Sequence, residues 1–246
     1  MTEPGNEKTY ALFDTPNNKK LIADLEAVGT KIFKISLIEA RNREFDESLR
    51  IKLKNPKQFD WIIFTDVLTV DFYLNILEEN GIDLFELDDV RICAFGEAVS
   101  DRLRFVQIHT DVLPTKIDDS TIFDAIKNYV NCETGLNGQH ILILQSKYMP
   151  VTLSVRLTDA GAKVEEAAIY DFENLRSEEF SKVSALIVGG AIDDFIFSTP
   201  EDIILLKFLL STGNLNDNLF EQFTVTNETM YKCVSELGIK PRYFSN

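Results

Sequence analysis

The chain reads Phe59-Asp60-Trp61-Ile62-Ile63-Phe64-Thr65-Asp66-Val67-Leu68-Thr69-Val70 at residues 59–70 and Ile192-Asp193-Asp194-Phe195-Ile196-Phe197-Ser198-Thr199-Pro200-Glu201-Asp202-Ile203 at residues 192–203. Aligned without gaps, the two stretches share the pairs Asp60 with Asp193, Ile63 with Ile196, Phe64 with Phe197 and Thr65 with Ser198. Each is a short apolar run that ends in a hydroxyl residue and leads into a helix-like segment. A helix that begins directly after a strand directs its free N–H groups and the positive end of its dipole at one spot. Two copies predict two similar lobes that face a shared cleft.

A second repeated element supports an internal duplication. Phe95-Gly96-Glu97-Ala98-Val99 and Val225-Thr226-Asn227-Glu228-Thr229 each end a strand and begin a helix, and each follows its strand–helix copy in the same order. The alternative is that any two β–α–β units resemble each other at this level of detail, and the pattern alone leaves that alternative open.

The rest of the chain alternates short apolar runs with longer segments of helical period, which is the rhythm of a parallel sheet flanked by helices. Residues 107–109 read as a short edge strand, and the polar residues 41–46 read as a crossover or linker. The predicted fold class is α/β, with two similar lobes of mostly parallel sheets flanked by helices. The clearest predicted strands are residues 10–13, 31–35, 91–95, 140–144 and 163–170.

The length and charge of the chain limit the number of domains and the kinds of partner that can be expected. A chain of 246 residues is long enough for two domains of about 120 residues each. The formal net charge is −15, from 40 acidic and 25 basic residues. Positive charge dominates affinity for nucleic acids and anionic membranes, so binding to either is not expected. An acidic surface is also ordinary for a solvated protein, and backbone amides can still bind a small anion locally.

Cysteine and histidine usage argue against disulfide and metal sites. Cys93, Cys132 and Cys233 have the spacing of neither a disulfide framework nor a metal pair, and His109 and His140 stand apart from other potential ligands. The first residues lack the basic and apolar regions of a signal peptide, and no run approaches the ~20 apolar residues of a membrane span. We therefore expect a soluble, monomeric, cytoplasmic protein without metal or cofactor.

The second copy has the composition of a strong helix start, with Thr199 at the N-cap and Pro200 at the first helical position. Either a ligand's carboxylate or phosphate rests on these amides, or the residues only cap the helix. In the first copy Asp66 is the predicted N-cap, and an ionised Asp66 would repel an anion at the turn after Thr65.

Signatures of common enzyme classes are missing from the sequence. It has no Walker-type phosphate loop, no glycine-rich dinucleotide loop after a strand and no Gly-x-Ser-x-Gly elbow. Carboxylates are abundant, but none has the spacing of a glycosidase pair. The predicted site is a cleft without an obvious nucleophile.

Several ordered motifs resemble the uroporphyrinogen-III synthase family. They include the repeated aromatic–Thr/Ser turn, the turn that begins at Gly96, and the run Gly161-Ala162-Lys163-Val164-Glu165-Glu166-Ala167-Ala168-Ile169-Tyr170. Val188-Gly189-Gly190-Ala191-Ile192-Asp193, which leads into Phe197-Ser198-Thr199-Pro200, also resembles that family. The order of elements is similar over nearly the whole chain.

The resemblance implies a bilobed α/β fold in which residues 40–167 form one lobe, residues 1–36 and 173–246 form the other, and residues 37–39 and 168–172 are extended linkers. It implies a cofactor-independent lyase that closes linear hydroxymethylbilane into uroporphyrinogen III and inverts the last pyrrole ring through a spiro intermediate. Such a reaction mainly requires loss of a hydroxyl, folding of the substrate and steering of ring closure. Tyr170 is then the candidate that assists departure of hydroxide; the alternative is a strand-end tyrosine that packs its ring.

The chain differs from the family pattern where a polycarboxylate substrate should lie. Asp14-Thr15-Pro16 lacks the arginine that usually precedes the proline, Asp66 replaces the serine of a Thr-Ser turn, and Val99 replaces a threonine. The Arg-Gly-like turn after the central strand is Gln145-Ser146.

Two further functions stay open beside the synthase. One is a catalytically silent member that binds a tetrapyrrole or another anion, or acts as an interaction module. The other is a generic two-lobed small-molecule binding protein. The residues expected to bind the tetrapyrrole substrate are Thr65, Asp66, Gly96, Glu97, Ala98, Ser146, Ser198, Thr199, Pro200, Asn227, Glu228 and Thr229.

Overall fold

The chain divides into two compact units. Unit 1 combines both ends, Met1–Glu39 and Phe172–Asn246, and unit 2 is Ala40–Asp171. Among the described residues, no helix is long and apolar enough to cross a membrane. The computed structural model describes residues 8–36, 38–116, 118–129, 136–147, 152–174, 182–183, 185–186, 188–199, 202–203, 206–207 and 223–244.

Both units are built from helices and strands. Short 3-10 turns lie at Pro56–Gln58 and Leu84–Leu87. In chain order the elements are β1 (Thr9–Phe13), α1 (Lys19–Ala27), β2 (Lys31–Ile35), β3 (Ile38–Asn42), α2 (Glu47–Leu53), β4 (Trp61–Phe64), α3 (Val67–Glu79), β5 (Arg91–Ala94), α4 (Glu97–Phe105), α5 (Asp119–Tyr129), β6 (His140–Ser146), α6 (Thr152–Asp159), β7 (Lys163–Asn174), β8 (Asp194–Phe197), β9 (Phe223–Val225), α7 (Glu228–Ser235) and β10 (Arg242–Tyr243).

Each unit is built on a five-stranded sheet. The strand order is β10-β9-β8-β1-β2 in unit 1 and β3-β7-β6-β4-β5 in unit 2. All neighbours in unit 1 run parallel, as do β7 with β6, β6 with β4 and β4 with β5 in unit 2. The α/β class with mostly parallel sheets, predicted from the sequence, is confirmed.

The repeated apolar runs are the central strands of the two sheets. All four residues of β4 and of β8 are buried. A strand with helices over both faces of its sheet is apolar throughout rather than alternating, and this is why both runs are continuous. The one charged residue among them, Asp194, accepts hydrogen bonds from Thr224 Oγ1 and Arg242 Nη2, both at 2.8 Å.

The aligned aspartates that precede the two strands make the same contacts. The Asp60 carboxylate accepts the His140 N–H at 2.8 Å, and the Asp60 N–H donates to the His140 carbonyl at 2.8 Å. Asp193 makes the same pair of contacts with Thr9, at 2.8 and 2.9 Å. Each aspartate therefore fixes the first residue of the neighbouring strand, β6 in one unit and β1 in the other.

Each unit has its own apolar core. The core of unit 2 surrounds Trp61, Ile63 and Ile143 between α5 and α6. A cluster of unit 1 joins Leu12, Ile22, Leu25 and Ile196, because the apolar stripe of α1 faces β1 and β8.

The prediction of an edge strand at residues 107–109 is wrong. Gln107 has a positive φ of 65°, which breaks an extended conformation. The contact with β5 is instead made by Val112, whose bridge to Cys93 runs parallel. In unit 1, Arg242 of β10 pairs with Thr224 of β9 in the same way.

The stretches that the resemblance assigned to linkers contain strands. Residues 38 and 39 belong to β3, and residues 168–172 lie inside β7, which runs on to Asn174. The predicted strand at 163–170 is therefore too short, because a polar tail of Asp171, Glu173 and Asn174 gives no apolar pattern. The register of β7 against β6 shifts after Gln145.

Candidate functional site

The predicted site residues of both units lie where parallel strands end and helices begin. In open α/β sheets this edge is the usual place for ligands. In unit 2 the edge carries Thr65 after β4, Gly96 after β5, and Ser146 at the end of β6. In unit 1 it carries Ser198 after β8 and Asn227 after β9.

Asp66 is the N-cap of α3, as the sequence predicted. Its Oδ1 accepts the Thr69 N–H at 2.8 Å, and Thr69 Oγ1 accepts the Asp66 N–H at 3.4 Å, which together form a capping box. Thr65 Oγ1 donates to the Leu144 carbonyl at 3.0 Å and also lies 3.2 Å from Asp66 Oδ2. Hydrogen bonds thus hold the turn both to α3 and to β6.

Tyr170 lies against this turn. Its hydroxyl donates to Asp66 Oδ2 at 2.9 Å, and its buried ring stacks on Phe72 with a centroid distance of 5.2 Å and an interplanar angle of 7°. Ala168 pairs with Gln145 and Tyr170 with Ser146, so Ile169 is an extra residue, a β-bulge. A bulge of this kind changes the direction in which the following side chains point. Tyr170 is therefore inside a strand, and the structure brings it together with Thr65, Asp66 and Ser146.

Burial controls the protonation of Asp66. Asp66 as a residue is half-buried, but its carboxylate is enclosed by Thr65, Thr69 and Tyr170. Loss of water disfavours the charged form and raises the pKa of Asp66 from 3.8 to about 6, against the opposing effect of the hydrogen bonds from Thr69, Tyr170 and Thr65. Near neutral pH both the acid and the carboxylate are therefore accessible.

The turn after β8 contains a second buried carboxyl group, that of Asp202. Its Oδ2 accepts the N–H groups of Ser198 at 2.6 Å and Thr199 at 3.0 Å. Asn18 Nδ2 donates to its Oδ1 at 3.3 Å, and Ser198 Oγ donates to Asn18 Oδ1. Burial raises the pKa of Asp202 to about 6, opposed by these hydrogen bonds.

The two turns carry an acid and a hydroxyl residue at aligned positions in opposite order, but Thr69 Oγ1 is hydrogen-bonded to Asp66 whereas Thr199 Oγ1 has no partner among the described residues. The alignment of the repeats matches Asp66 with Thr199 and Thr69 with Asp202. In unit 2 the acid is the first member and the hydroxyl residue the second, whereas in unit 1 the order is reversed. Either way a carboxylate of the chain itself accepts backbone N–H groups at the turn. A ligand carboxylate would have to displace it.

The Gly96 turn differs because its N-cap has no side chain. Gly96 has φ 89° and ψ 169°, a conformation that is essentially restricted to glycine, and no side-chain cap closes α4. The exposed Glu97 and the half-buried Ala98 are the first two residues of the helix. This turn therefore offers backbone amides without a side chain of the N-cap across them.

Asn227 joins two turns of unit 1. Its Oδ1 accepts the Met230 N–H at 2.9 Å, and its Nδ2 donates to the Ser198 carbonyl at 3.2 Å. The next residue, Glu228, accepts a hydrogen bond from the Tyr243 hydroxyl. Thr229 follows within α7 and is half-buried. Pro200 lies outside the described residues.

Four residues of these networks were missed by sequence reasoning: Asn18, Thr69, Phe72 and Asp202. Thr69 and Asp202 are aligned in the repeat, but a hydroxyl residue aligned with an acid does not indicate a shared role. Asn18 is distant in sequence, and its role depends on the pairing of β1 with β8. In the described part of the chain, no group of three or more His, Cys, Asp or Glu side chains is arranged to hold a metal ion.

Comparison with known proteins identifies the family. The family model described as "Uroporphyrinogen-III synthase HemD" matches residues 19–204, which is more than half of the chain. The chain belongs to the uroporphyrinogen-III synthase family. The match includes the turns after β4 and β8 and the whole of β7.

Relatives within the uroporphyrinogen-III synthase family are distant in sequence. A uroporphyrinogen-III synthase of Chlorobaculum parvum is 22% identical over 193 residues, covering 76% of this chain and 75% of that protein. A mutant uroporphyrinogen III synthase from the extremely thermophilic bacterium Thermus thermophilus has a TM-score of 0.59 at 14% identity, covering 97% of this chain and 92% of its own. The enzyme of Helicobacter pylori has a TM-score of 0.53 at 17% identity, with 96% and 91% covered. At these identities the solved structures support the fold alone.

Proposed function

We propose that the chain is a uroporphyrinogen-III synthase that closes linear hydroxymethylbilane into uroporphyrinogen III and inverts the last pyrrole ring. The observation that carries this proposal is the hydroxyl of Tyr170, held 2.9 Å from Asp66 at the strand–helix edge of unit 2. Family membership gives a haem biosynthesis context, and Tyr170, although its side chain is fully buried in this structure, is able to donate a proton to a departing hydroxyl that reaches it.

The reaction is a loss of water followed by ring closure. The hydroxyl at one end of the bilane leaves with a proton, and the resulting cation is attacked by the pyrrole at the other end. Tyr170 assists the departure. The protein holds the four linked pyrroles of the substrate in a folded conformation in which the two ends meet. This lowers the entropic cost of ring closure.

Substrate carboxylates bind at the helix starts in this proposal. The Gly96 turn is the strongest candidate in unit 2, because its first amides carry no side-chain cap. The Thr229 hydroxyl adds a donor at the neighbouring turn, whereas the hydroxyl groups of Thr65 and Ser198 would first have to release the Leu144 carbonyl and Asn18. Ala98, Ser146 and the residues around Asn227 line the same edges of the two sheets.

An isomer assay tests the proposal. Hydroxymethylbilane is supplied enzymatically, and the products are oxidised and separated by chromatography into the type I and type III isomers. We expect type III from the wild-type chain and a large loss of type III from Tyr170→Phe. Type I alone, the product of spontaneous closure, would rule out synthase activity.

A second function has its own supporting observation. Asp66 and Asp202 place negative charge on the turn amides of both units, where a polycarboxylate should bind. This favours a catalytically silent member of the family that binds a tetrapyrrole or another ligand weakly. Retention of a porphyrin without formation of type III would support that alternative.

The cellular setting is part of the proposal. We infer a cytoplasmic monomer that binds neither nucleic acid nor membrane, since its net charge of −15 disfavours both polyanions. Turnover is proposed to need neither a metal nor an organic cofactor, because acid assistance and positioning supply the chemistry.

A further inference from the structure

The carboxyl group of Asp66 lies next to the phenol of Tyr170 in unit 2, and the reaction needs a proton at that place. Resting on the proposed function, we propose that Asp66 is a positioning residue for Tyr170 that supplies, through the phenol, the proton that leaves with the substrate's hydroxyl. Asp66 stands where the family pattern has the serine of a Thr-Ser turn. The proposed relay therefore depends on a residue in which this chain differs from that pattern.

The geometry holds the pair in one arrangement. Asp66 is fixed by its capping box with Thr69, with Oδ1 engaged at 2.8 Å, which leaves Oδ2 directed at the Tyr170 hydroxyl at 2.9 Å. The stacked ring of Phe72 holds the tyrosine from one side. The two oxygens stay within hydrogen-bonding distance throughout, and only the phenolic O–H, which donates to Asp66 Oδ2 in this structure, has to turn towards the substrate when Asp66 is protonated.

The step balances without an outside reagent. The protonated Asp66 carboxyl donates to the phenolic oxygen while the phenolic proton moves to the hydroxyl of the substrate. The carbon–oxygen bond breaks, its electron pair leaves with water, and the carbon becomes a cation conjugated with its pyrrole nitrogen. Asp66 is left as a carboxylate. Ring closure consumes the cation, and the proton released from the attacking pyrrole restores the acid.

Asp66 then acts both before and after the carbon–oxygen bond breaks. As an acid Asp66 adds no charge to the buried site before the reaction, and as a carboxylate it attracts the cation formed beside Tyr170. Charge stabilisation of this kind is stronger where water is excluded. A tyrosine alone would become an isolated phenolate, whose ordinary pKa near 10 makes this unfavourable at neutral pH.

Burial and hydrogen bonds set the pKa of Asp66. Its own turn and α3 present Thr65 and Thr69, β6 presents the Leu144 carbonyl through Thr65, and β7 presents Tyr170. The neighbouring Asp171 follows Tyr170 on the strand and pairs with Lys147 at 3.0 Å. The acid form persists towards neutral pH because burial raises the pKa of Asp66 to about 6, and a donor is most effective when its pKa lies near the working pH.

The test is the pH profile of kcat/KM for type III formation from pre-formed hydroxymethylbilane, measured by quenched flow. For the wild type we expect a tenfold fall per pH unit above about 6. Asp66→Asn keeps a capping oxygen but cannot exchange the proton, so we expect a fall of about 100-fold in the acid limb and no inflection there. Asp66→Glu should restore an inflection.

Matched variants separate this role from a structural one. Asp46 is an exposed N-cap aspartate that accepts the Leu49 N–H at 2.7 Å and makes no hydrogen bond to a tyrosine of the described residues, so Asp46→Asn should retain rate and profile. Tyr170→Phe should lose the inflection as Asp66→Asn does. Carbon-13 NMR of carboxyl-labelled aspartate gives a second readout: of the two resonances expected to titrate near 6, that of Asp66 disappears in Asp66→Asn and that of Asp202 stays.

Two failures are distinguishable. If the wild type forms no type III at any pH, the proposed function falls and the relay falls with it. If the wild type forms type III and Asp66→Asn keeps the wild-type inflection, the synthase stands and the relay is overturned.

Discussion

Asp66 and Asp202 are carboxyl groups that the fold has removed from water at equivalent turns. Burial raises the pKa of each from 3.8 to about 6, because the charged form loses more solvation than its hydrogen bonds return. Each therefore favours the folded state only when protonated. This contribution is fully present below about pH 3.8 and is lost as the pH rises through about 6.

The first prediction concerns stability against pH. Asp66→Asn removes one of these titrations, so the loss of unfolding free energy between about pH 4 and pH 7 should be smaller than in the wild type, with Asp202 and Asp194, whose pKa burial also raises, still titrating. At pH 8 the variant should be more stable than the wild type by up to about 3 kcal/mol, since asparagine is also a good N-cap. Urea denaturation at several pH values measures this. Asp46→Asn is the control, and an unchanged pH dependence in Asp66→Asn would contradict the expectation.

The second prediction concerns Gly96. An alanine there would be forced into a φ of 89° and ψ of 169°, so Gly96→Ala should destabilise the chain by about 1–3 kcal/mol. Gly29→Ala is the comparison, because Gly29 follows the end of α1 with φ 85° and a Cβ there meets no atom within 4 Å. Thermal unfolding of both variants gives the measurement. Equal or smaller destabilisation by Gly96→Ala would show that this turn tolerates a side chain.

At the scale of elements, the duplication consists of matched strands with matched ends. The aspartates before β4 and β8 tie each strand to its neighbour through paired backbone contacts. The parallel bridge of Cys93 with Val112 corresponds to the pairing of β9 with β10. The helix starts differ: Asp66 and Thr69 form a capping box in unit 2, whereas in unit 1 Asp202 alone accepts the turn N–H groups and Thr199 Oγ1 has no hydrogen-bond partner among the described residues.

The third prediction follows from these matched aspartates. Asp60→Ala removes the acceptor of the His140 N–H and should lower the unfolding free energy by about 1–2 kcal/mol. Asp193→Ala should cost less, because Asp193 is exposed and water can replace it. The corresponding asparagine variants keep an acceptor and should recover most of each loss. Denaturant titration compares the four, and a larger loss at Asp193 would contradict the assignment.

Sequence reasoning was strongest where one local signal decides the structure. The continuous apolar runs of β4 and β8 and the N-cap role of Asp66 followed from periodicity and capping chemistry alone. It failed where pairing decides: residues 107–109 were predicted as a strand, but Gln107 lies in a turn with a positive φ and Val112 makes the contact with β5 instead. The bond between Tyr170 and Asp66 needed the sheet order and the bulge, which no local pattern encodes.

At the scale of the whole molecule, the acidic charge of the chain opposes the binding of the substrate that is proposed from its family. Its net charge is −15, and the proposed substrate is a polyanion. Association between like charges is slowed at a distance, and in the proposed binding mode the substrate's carboxylates contact backbone amides and hydroxyl groups at the turns.

The fourth prediction is the response to salt. Screening shortens the range of the repulsion, so kcat/KM should rise several-fold when ionic strength increases from about 0.02 to about 0.2 M, where the Debye length falls below about 10 Å. Initial rates at constant pH with sodium chloride measure it, with kcat at saturating substrate as the reference. A steep fall of kcat/KM with salt would show that cationic side chains dominate substrate binding.

The synthase assignment itself is tested most directly by the isomer composition as a function of enzyme concentration. A fixed amount of hydroxymethylbilane is allowed to react with increasing amounts of the chain, and the type III fraction is measured. The account predicts that type III rises until it replaces type I almost completely. A product that remains type I at every concentration would contradict it.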